Sequence, residues 1–360
     1  MTALAEVMEP TAIDEDRLNE LLGRFVNDMG AAMQAPLMIV GHELGLYRAL
    51  AAEALTTEEL ADRTRTTERY VREWVRSQAA AGWVSYDAGS ETYWLSAEQA
   101  ILFDEEGPAF VIGGFEVAVA GGRALPRLLE AFRSGGGIGW HEHDPLLFGG
   151  TASFFASGYR ANLVSNWIPA LEGVEAKLKA GARVADVGCG HGISTLLMAE
   201  RFPASSFVGF DYHRASVEAA RENARKKGLE AHAWFIEASA KTYAGGNFDL
   251  ITMFDALHDL GDPLGALKHA RNNIAADGTL MLVEPKAGDS VEANLNPVGR
   301  SYYSASTIFC TPNAVSQDGG HALGAQGGVA AVRELAREAG FSQFRVASET
   351  PFNLVFEVRP

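Results

Sequence analysis

From residue 181 onward, short apolar runs alternate with helix-patterned segments, and this alternation constrains the fold more than any other feature of the chain. "RVADVG", "SFVGFD", "AHAWFIE", "FDLITMF" and "TLMLVE" read as strands. "ISTLLMAERF", "RASVEAARENARKKG" and "PLGALKHARNNI" carry helical spacing, the second stopped by Gly228. Strand–helix alternation gives a doubly wound, mostly parallel sheet. "GGVAAVRELAREAG" adds a last helix before "FRVAS" and "NLVFEV", which have only "ETPF" between them. A connection that short permits only an antiparallel pair. The expected fold is therefore α/β, a seven-stranded sheet with an antiparallel C-terminal hairpin.

Upstream the pattern is different. Residues 18–52 have helical spacing through Leu18, Leu21, Leu22, Phe25 and Val26, continue beyond Pro36, and stop near Gly45. Thr56 with Glu59 three residues on is a capping-box pattern. A second Thr-initiated segment follows, with Tyr70, Val71, Trp74 and Val75 on one face. "WVSYD" and "TYWLS" around "AGSE" then read as a hairpin. Helix, helix, hairpin is the order of a winged helix. Residues 101–176 read as mostly helical, with a glycine-rich loop at 133–145 and a long helix from 151 that Pro169 can break. The expected division is a winged-helix domain at 1–100, a helical connector and pocket region at 101–176, and the sheet domain at 177–360. Residues 296–326 form a long insertion within the last, of the kind that serves as a lid or substrate wall.

Charge narrows the function. The net charge is −16, and residues 1–100 hold 17 Asp/Glu against 8 Arg, with no lysine before Lys177. That balance repels a nucleic acid backbone. Arg69, Arg72 and Arg76 line one side of a helix but are interleaved with Glu68 and Glu73, which is the pattern of a solvated face. The two cysteines, Cys189 and Cys310, suit a reducing compartment, so a cytoplasmic location is expected. The acidic start lacks the basic-then-apolar order of a signal peptide, and no apolar stretch is long enough for a membrane span.

A ligand site is written into "VADVGCGHG" (184–192). Gly188, Gly190 and Gly192 directly follow the first sheet strand, where glycine permits a sharp turn and a close ligand. A dinucleotide fingerprint needs Gly or Ala at 193, and that position is Ile. Asp211, ending the second strand, can accept both hydroxyls of a ribose.

"VADVGCGHG" followed by "FVGFD" resembles motifs I and II of the class I S-adenosylmethionine-dependent methyltransferases, whose fold is Rossmann-like. The resemblance implies that Asp186 and the glycine loop hold the methionine part of S-adenosylmethionine and that Asp211 holds its ribose. It implies that Ser239 and Ala240 meet the adenine, although the family's usual carboxylate is absent there. Asp255, after the fourth strand, would face the transferred methyl group, and the product would be S-adenosylhomocysteine. "LHDLGDP" resembles the His-Asp segment of winged-helix O-methyltransferases, the plant-type and bacterial small-molecule enzymes. That likeness makes His258 a general base, oriented by Glu284, with Gln326 where the family has a second supporting glutamate. It also places Tyr159 and Asn162 beside the cofactor. It makes the chain a homodimer through its N-terminal helices, with Met29, Met33 and Met38 in the contact.

His141, His143, Tyr302, Tyr303, Phe309 and His321 are candidates for substrate contact from the two loop regions. No resident metal is expected, because His141 and His143 lack a third ligand nearby. The leading expectation is a methyltransferase for a small-molecule hydroxyl. Carbon, nitrogen or sulfur acceptors methylated by proximity alone remain open. A winged-helix regulator that senses a nucleoside and a nicotinamide-dependent oxidoreductase are the alternatives of other classes.

Overall fold

The computed structural model describes residues 13–360. The chain divides into two compact units, Met1–Ala100 and Ile101–Pro360.

In the first unit a helix runs Glu15–Glu43, capped by Asp14 and carrying Pro36 inside it. Gly45 in the left-handed region separates it from Leu46–Ala52. Thr56 and Glu59 form the reciprocal capping box at the start of Thr57–Thr64. The helix Glu68–Ala80 buries Val71, Trp74 and Val75. The hairpin pairs β1 (Ser85–Asp87) with β2 (Thr92–Trp94). Arg69 and Arg72 are each held by a glutamate on their own helix, Arg72 by both oxygens of Glu68. Met38 departs from the expected contact surface: it is buried in this unit's core, where the Tyr47 hydroxyl reaches its sulfur at 3.2 Å. Met29 and Met33 stay exposed on the same helix, because the helix turns only one stripe inward.

The second unit is built on seven strands: β3 (Arg183–Val187), β4 (Ser206–Asp211), β5 (Ala233–Glu237), β6 (Phe248–Phe254), β7 (Ile274–Pro285), β8 (Gln343–Glu349) and β9 (Asn353–Arg359). Their order is β5-β4-β3-β6-β7-β9-β8, parallel from β5 to β7 and antiparallel in β9 and β8. The terminal hairpin thus exists, and its second strand is inserted between β7 and β8. β6 is buried nearly throughout, as its unbroken apolar run requires. β8 is the exposed edge. Apolar clusters pack on both faces of the sheet, one around Trp167, Phe202 and Leu250, the other around Phe210, Ile251 and Phe356.

Two helical segments complete this unit. One helix spans Pro145–Asn162, starting six residues before the expected position, because Asp144 caps it through the Leu146 N–H and Pro145 takes the first helical position. It passes into a widened π-type turn at Leu163–Trp167. Residues 296–326 are largely helical, with Pro297–Ala305, a second π-type turn Ser306–Cys310, and Thr311–Ser316. No helix among the described residues is long and apolar enough to cross a membrane.

Candidate active site

The order of the strands reverses at β3: β4 lies on one side and β6 on the other. In open α/β sheets that switch point leaves a crevice at the carboxyl ends of the strands. The loops leaving β3 and β6 both open into it.

The loop after β3 is built on three glycines in the left-handed region, Gly188, Gly190 and Gly192. A β-carbon on Gly192 would lie 2.7 Å from the Phe235 ring, whereas one on Gly190 would meet nothing within 4 Å. Gly192 therefore packs the loop onto the sheet, and Gly190 leaves space in front of it. The Asp211 carboxylate ties the loop down: the Gly190 N–H donates to Oδ2 at 2.9 Å, and the His213 N–H to Oδ1 at 2.8 Å. Each oxygen keeps a lone pair free. Burial pushes the Asp211 carboxyl up from its usual range.

Asp186 sits one layer deeper. Ser194 and Thr195 donate to Oδ2 at 2.7 and 2.5 Å, and Thr252 donates to Oδ1 at 2.9 Å. Thr252 lies opposite Asp186 in the sheet register. Three hydroxyls thus clamp β3, β6 and the helix Ile193–Arg201 around one buried carboxyl, whose pKa burial also raises.

The loop after β6 begins at Asp255, a non-glycine residue with φ of 48°. That conformation is costly for an ordinary side chain. It is held by three bonds: the Asp255 N–H donates to Val283 O at 2.7 Å, Tyr159 Oη donates to Oδ2 at 2.9 Å, and Asn353 Nδ2 donates to Oδ1 at 3.2 Å. Burial, followed by repulsion from Glu284, pushes the Asp255 carboxyl up to about 7.

One short turn further on, in Leu257–Asp259, lies His258. Its Nδ1 meets Glu284 Oε2 at 2.6 Å, and the other oxygen of Glu284 accepts the Leu257 N–H at 3.0 Å. Glu284 near the end of β7 thereby fixes both the ring and its backbone. Nε2 lies 3.3 Å from Asp259 Oδ1. Cys310, from the second π-type turn, completes this group. Burial alone would favour a neutral ring, but the carboxylates of Glu284 and Asp259 outweigh it and hold the His258 pKa well above the usual imidazole range. Burial pushes the Cys310 thiol up to about 12.

Several of these groups border a cavity of about 280 Å³. Gly188, Gly190, Asp211 and Ala240 line it. Asp255, Tyr159, His258, Tyr302 and Phe309 also line it. Trp140, Phe148 and Phe155 are prominent among its apolar walls. Asp211, Asp255 and Asp259 line it, while no lysine or arginine does among the described residues. Asp186, Gly192, Glu284, Asn162, Ser239 and Gln326 do not border the cavity. Asn162 bonds its own helix at Gly158 O, and Ser239 bonds Thr242. His143 is buried against Phe309, with ring centroids 5.2 Å apart. His141, Tyr303 and His321 are exposed at the surface. Sequence reasoning missed Thr252, Asn353, Asp259 and Cys310. Only Thr252 carried a signal, a lone hydroxyl inside an apolar strand.

Comparison with known proteins agrees with this architecture. Residues 178–323 match a family model described as a methyltransferase domain, and residues 32–104 match an Rv2258c-like winged HTH domain. A demethylmenaquinone methyltransferase of Thermus thermophilus is 30% identical over 106 residues, 29% of this chain and 48% of that protein. The curated relatives are thus matched over less than half of their own length. Among solved structures, an O-methyltransferase family protein from Burkholderia thailandensis superposes with a TM-score of 0.70 at 16% identity, covering 97% of this chain and 99% of that one. Human N-acetylserotonin methyltransferase, solved in complex with SAM, superposes with a TM-score of 0.68 at 16% identity, covering 98% and 99%. Those likenesses carry the fold. Residues 178–323 thus belong to the methyltransferase domains, joined in this chain to an N-terminal winged helix-turn-helix domain.

Proposed function

We propose that this chain is an S-adenosylmethionine-dependent methyltransferase that acts on the hydroxyl of a small, largely apolar compound. The observation that carries the reading is the cavity itself: it is lined both by the glycine loop tied to Asp211 and by His258, and it holds three aspartates but no lysine or arginine. A sulfonium donor is cationic at its reacting centre and suits that lining, whereas the diphosphate of a nicotinamide cofactor does not. The residues fit the donor: Asp211 has lone pairs for two ribose hydroxyls, and the room before Gly190 admits a group against the backbone. When bound, S-adenosylmethionine supplies an electrophilic methyl carbon.

The chain's own residues orient the acceptor and take its proton. His258 Nδ1 is committed to Glu284, so Nε2 is the ring nitrogen left to receive a proton. With the donor bound, the acceptor oxygen would gain the methyl group as the donor's carbon–sulfur bond breaks and S-adenosylhomocysteine leaves, and His258 Nε2 would take the proton from the acceptor O–H. Trp140, Phe148 and Phe155 exclude water and favour an apolar body on the acceptor. The Glu284–His258 arrangement favours oxygen over carbon, nitrogen or sulfur acceptors, which gain less from a base. In the first unit, Leu22, Phe25, Met29 and Met33 leave an exposed apolar stripe that supports pairing with a second copy of the chain.

His258→Gln tests the base. Single-turnover transfer should fall by at least about a hundredfold with donor binding retained. A loss below about tenfold would leave proximity as the whole mechanism. Absence of calorimetric heat with S-adenosylhomocysteine would remove the cofactor assignment.

A further inference from the structure

His258, Asp259 and Cys310 present one imidazole, one carboxylate and one thiol whose ligand atoms all lie within 4.8 Å of one another. Methyl transfer as proposed uses only the first of them. We propose that this group is a binding site for one thiophilic divalent cation of the zinc class, with its fourth position open to the cavity.

Several independent observations point to a cation. Tetrahedral sites with three protein ligands and one exchangeable position are built from this donor set. The separation of His258 Nε2 from Asp259 Oδ1, 3.3 Å, is the edge of a tetrahedron with bonds of about 2 Å. Asp259 Oδ1 is buried and faces His258 Nε2 directly, so a cation between them would replace one side-chain contact with two ligand bonds. Nδ1 of His258 is held by Glu284 at 2.6 Å, and Glu284 by the Leu257 N–H. A carboxylate behind a ligating histidine is the usual outer support of a metal site, fixing the tautomer that leaves Nε2 free. Cys310 enters through the π-type turn Ser306–Cys310, which bulges the helix at that residue.

Charge permits the cation: in displacing one imidazole proton and the thiol proton it leaves the net charge of the cluster unchanged. Soft thiolate and borderline imidazole select zinc or cobalt over magnesium or calcium. Both displaced protons leave to solvent. A cation on Nε2 uses the lone pair that proton transfer needs, so the two uses of His258 exclude each other.

The test is titration of the full chain with Co²⁺, followed by absorption. One equivalent should bind and give a thiolate-to-cobalt charge-transfer band together with intense tetrahedral d–d bands, and Zn²⁺ should displace it. Cys310→Ser should abolish the charge-transfer band, and Cys189→Ser should keep it. Glu284→Gln should weaken binding by about tenfold or more through the histidine. Thermal unfolding of each variant confirms that it is folded. Absence of the band in wild-type protein, or its survival in Cys310→Ser, overturns the site. The readout is metal binding, so its failure leaves the base assignment intact, and a failure of the base assignment leaves the metal result intact.

Discussion

Glu284 grips His258 twice, once at the ring through Oε2 at 2.6 Å and once at the backbone of the preceding residue through Oε1 at 3.0 Å. The two contacts have different chemistry. The ring contact needs charge, and the backbone contact needs only an acceptor. Glu284→Gln separates them. A glutamine oxygen can keep the Leu257 N–H, but its NH₂ then faces Nδ1 and drives the proton to Nε2. Glu284 also raises the His258 pKa, so its neutralisation lowers it. The wild-type rate should rise with pH as the ring loses its proton, above the ordinary imidazole value. In the variant that midpoint should move to lower pH, and the plateau rate should drop about tenfold or more. A pH–rate profile under single turnover measures both. An unchanged midpoint would separate Glu284 from the base.

Asp211 is bound to backbone on both oxygens, through Gly190 and His213. Asp211→Asn replaces one acceptor by a donor that points at an N–H. The glycine loop loses a tie, and the ribose loses half of its acceptor pair. Binding of S-adenosylhomocysteine should weaken by at least about tenfold, in keeping with a lost charge-assisted pair of roughly 1.5–3 kcal/mol. Calorimetry measures it; unchanged affinity would move the ribose elsewhere.

Much of this is legible in the sequence. Period-two and period-3.6 patterns mark all seven sheet strands and the helices between them, because a buried parallel strand must be apolar along its whole length, as "FDLITMF" is. The glycine loop was legible because backbone geometry demands glycine there. The polar second layer was not. Thr252, Asn353 and Cys310 are far from their partners in sequence, and only the packing of β6, β9 and the 306–310 turn brings them to Asp186, Asp255 and His258. Asp259 adjoins His258, but sequence gives no sign that its oxygen would be buried beside Nε2. The surface histidines illustrate the opposite error: His141 and His321 look chemical in sequence and are exposed.

Gly192 and Gly190 share a positive φ and have opposite surroundings. Both have positive φ, 76° and 52°. A methyl group on Gly192 collides with Phe235 and lies 3.0 Å from Ala220. Gly192→Ala should therefore cost about 1–2 kcal/mol for the left-handed conformation and about 1–3 kcal/mol more for overpacking. Gly190→Ala should cost only the first of these. Its methyl group enters the space before the loop instead, so the folded protein should lose affinity for the donor. Chemical denaturation and calorimetry on the pair should give opposite rankings: Gly192→Ala worse in stability, Gly190→Ala worse in binding relative to stability. Equal stability losses would refute the packing role of Gly192.

Asp255 offers a test by pH. Its carboxyl is raised from 3.8 to about 7, first by burial and then by Glu284. A raised carboxyl means that the folded protein prefers the protonated form. Its contribution to stability is thus fully present below the unfolded value near 4 and is lost as pH rises through about 7. Asp255→Asn removes that dependence. Asparagine tolerates the left-handed backbone. Its oxygen can accept from Tyr159, and a flipped Asn353 amide can accept from its NH₂. The variant should therefore match wild type near pH 4 and exceed it near pH 8, by on the order of a few kcal/mol at most. Thermal unfolding of ligand-free protein across that range measures the difference. A difference that stays flat, or that grows toward low pH, would mean that Asp255 is an ordinary ionised carboxylate and that Glu284 does not repel it.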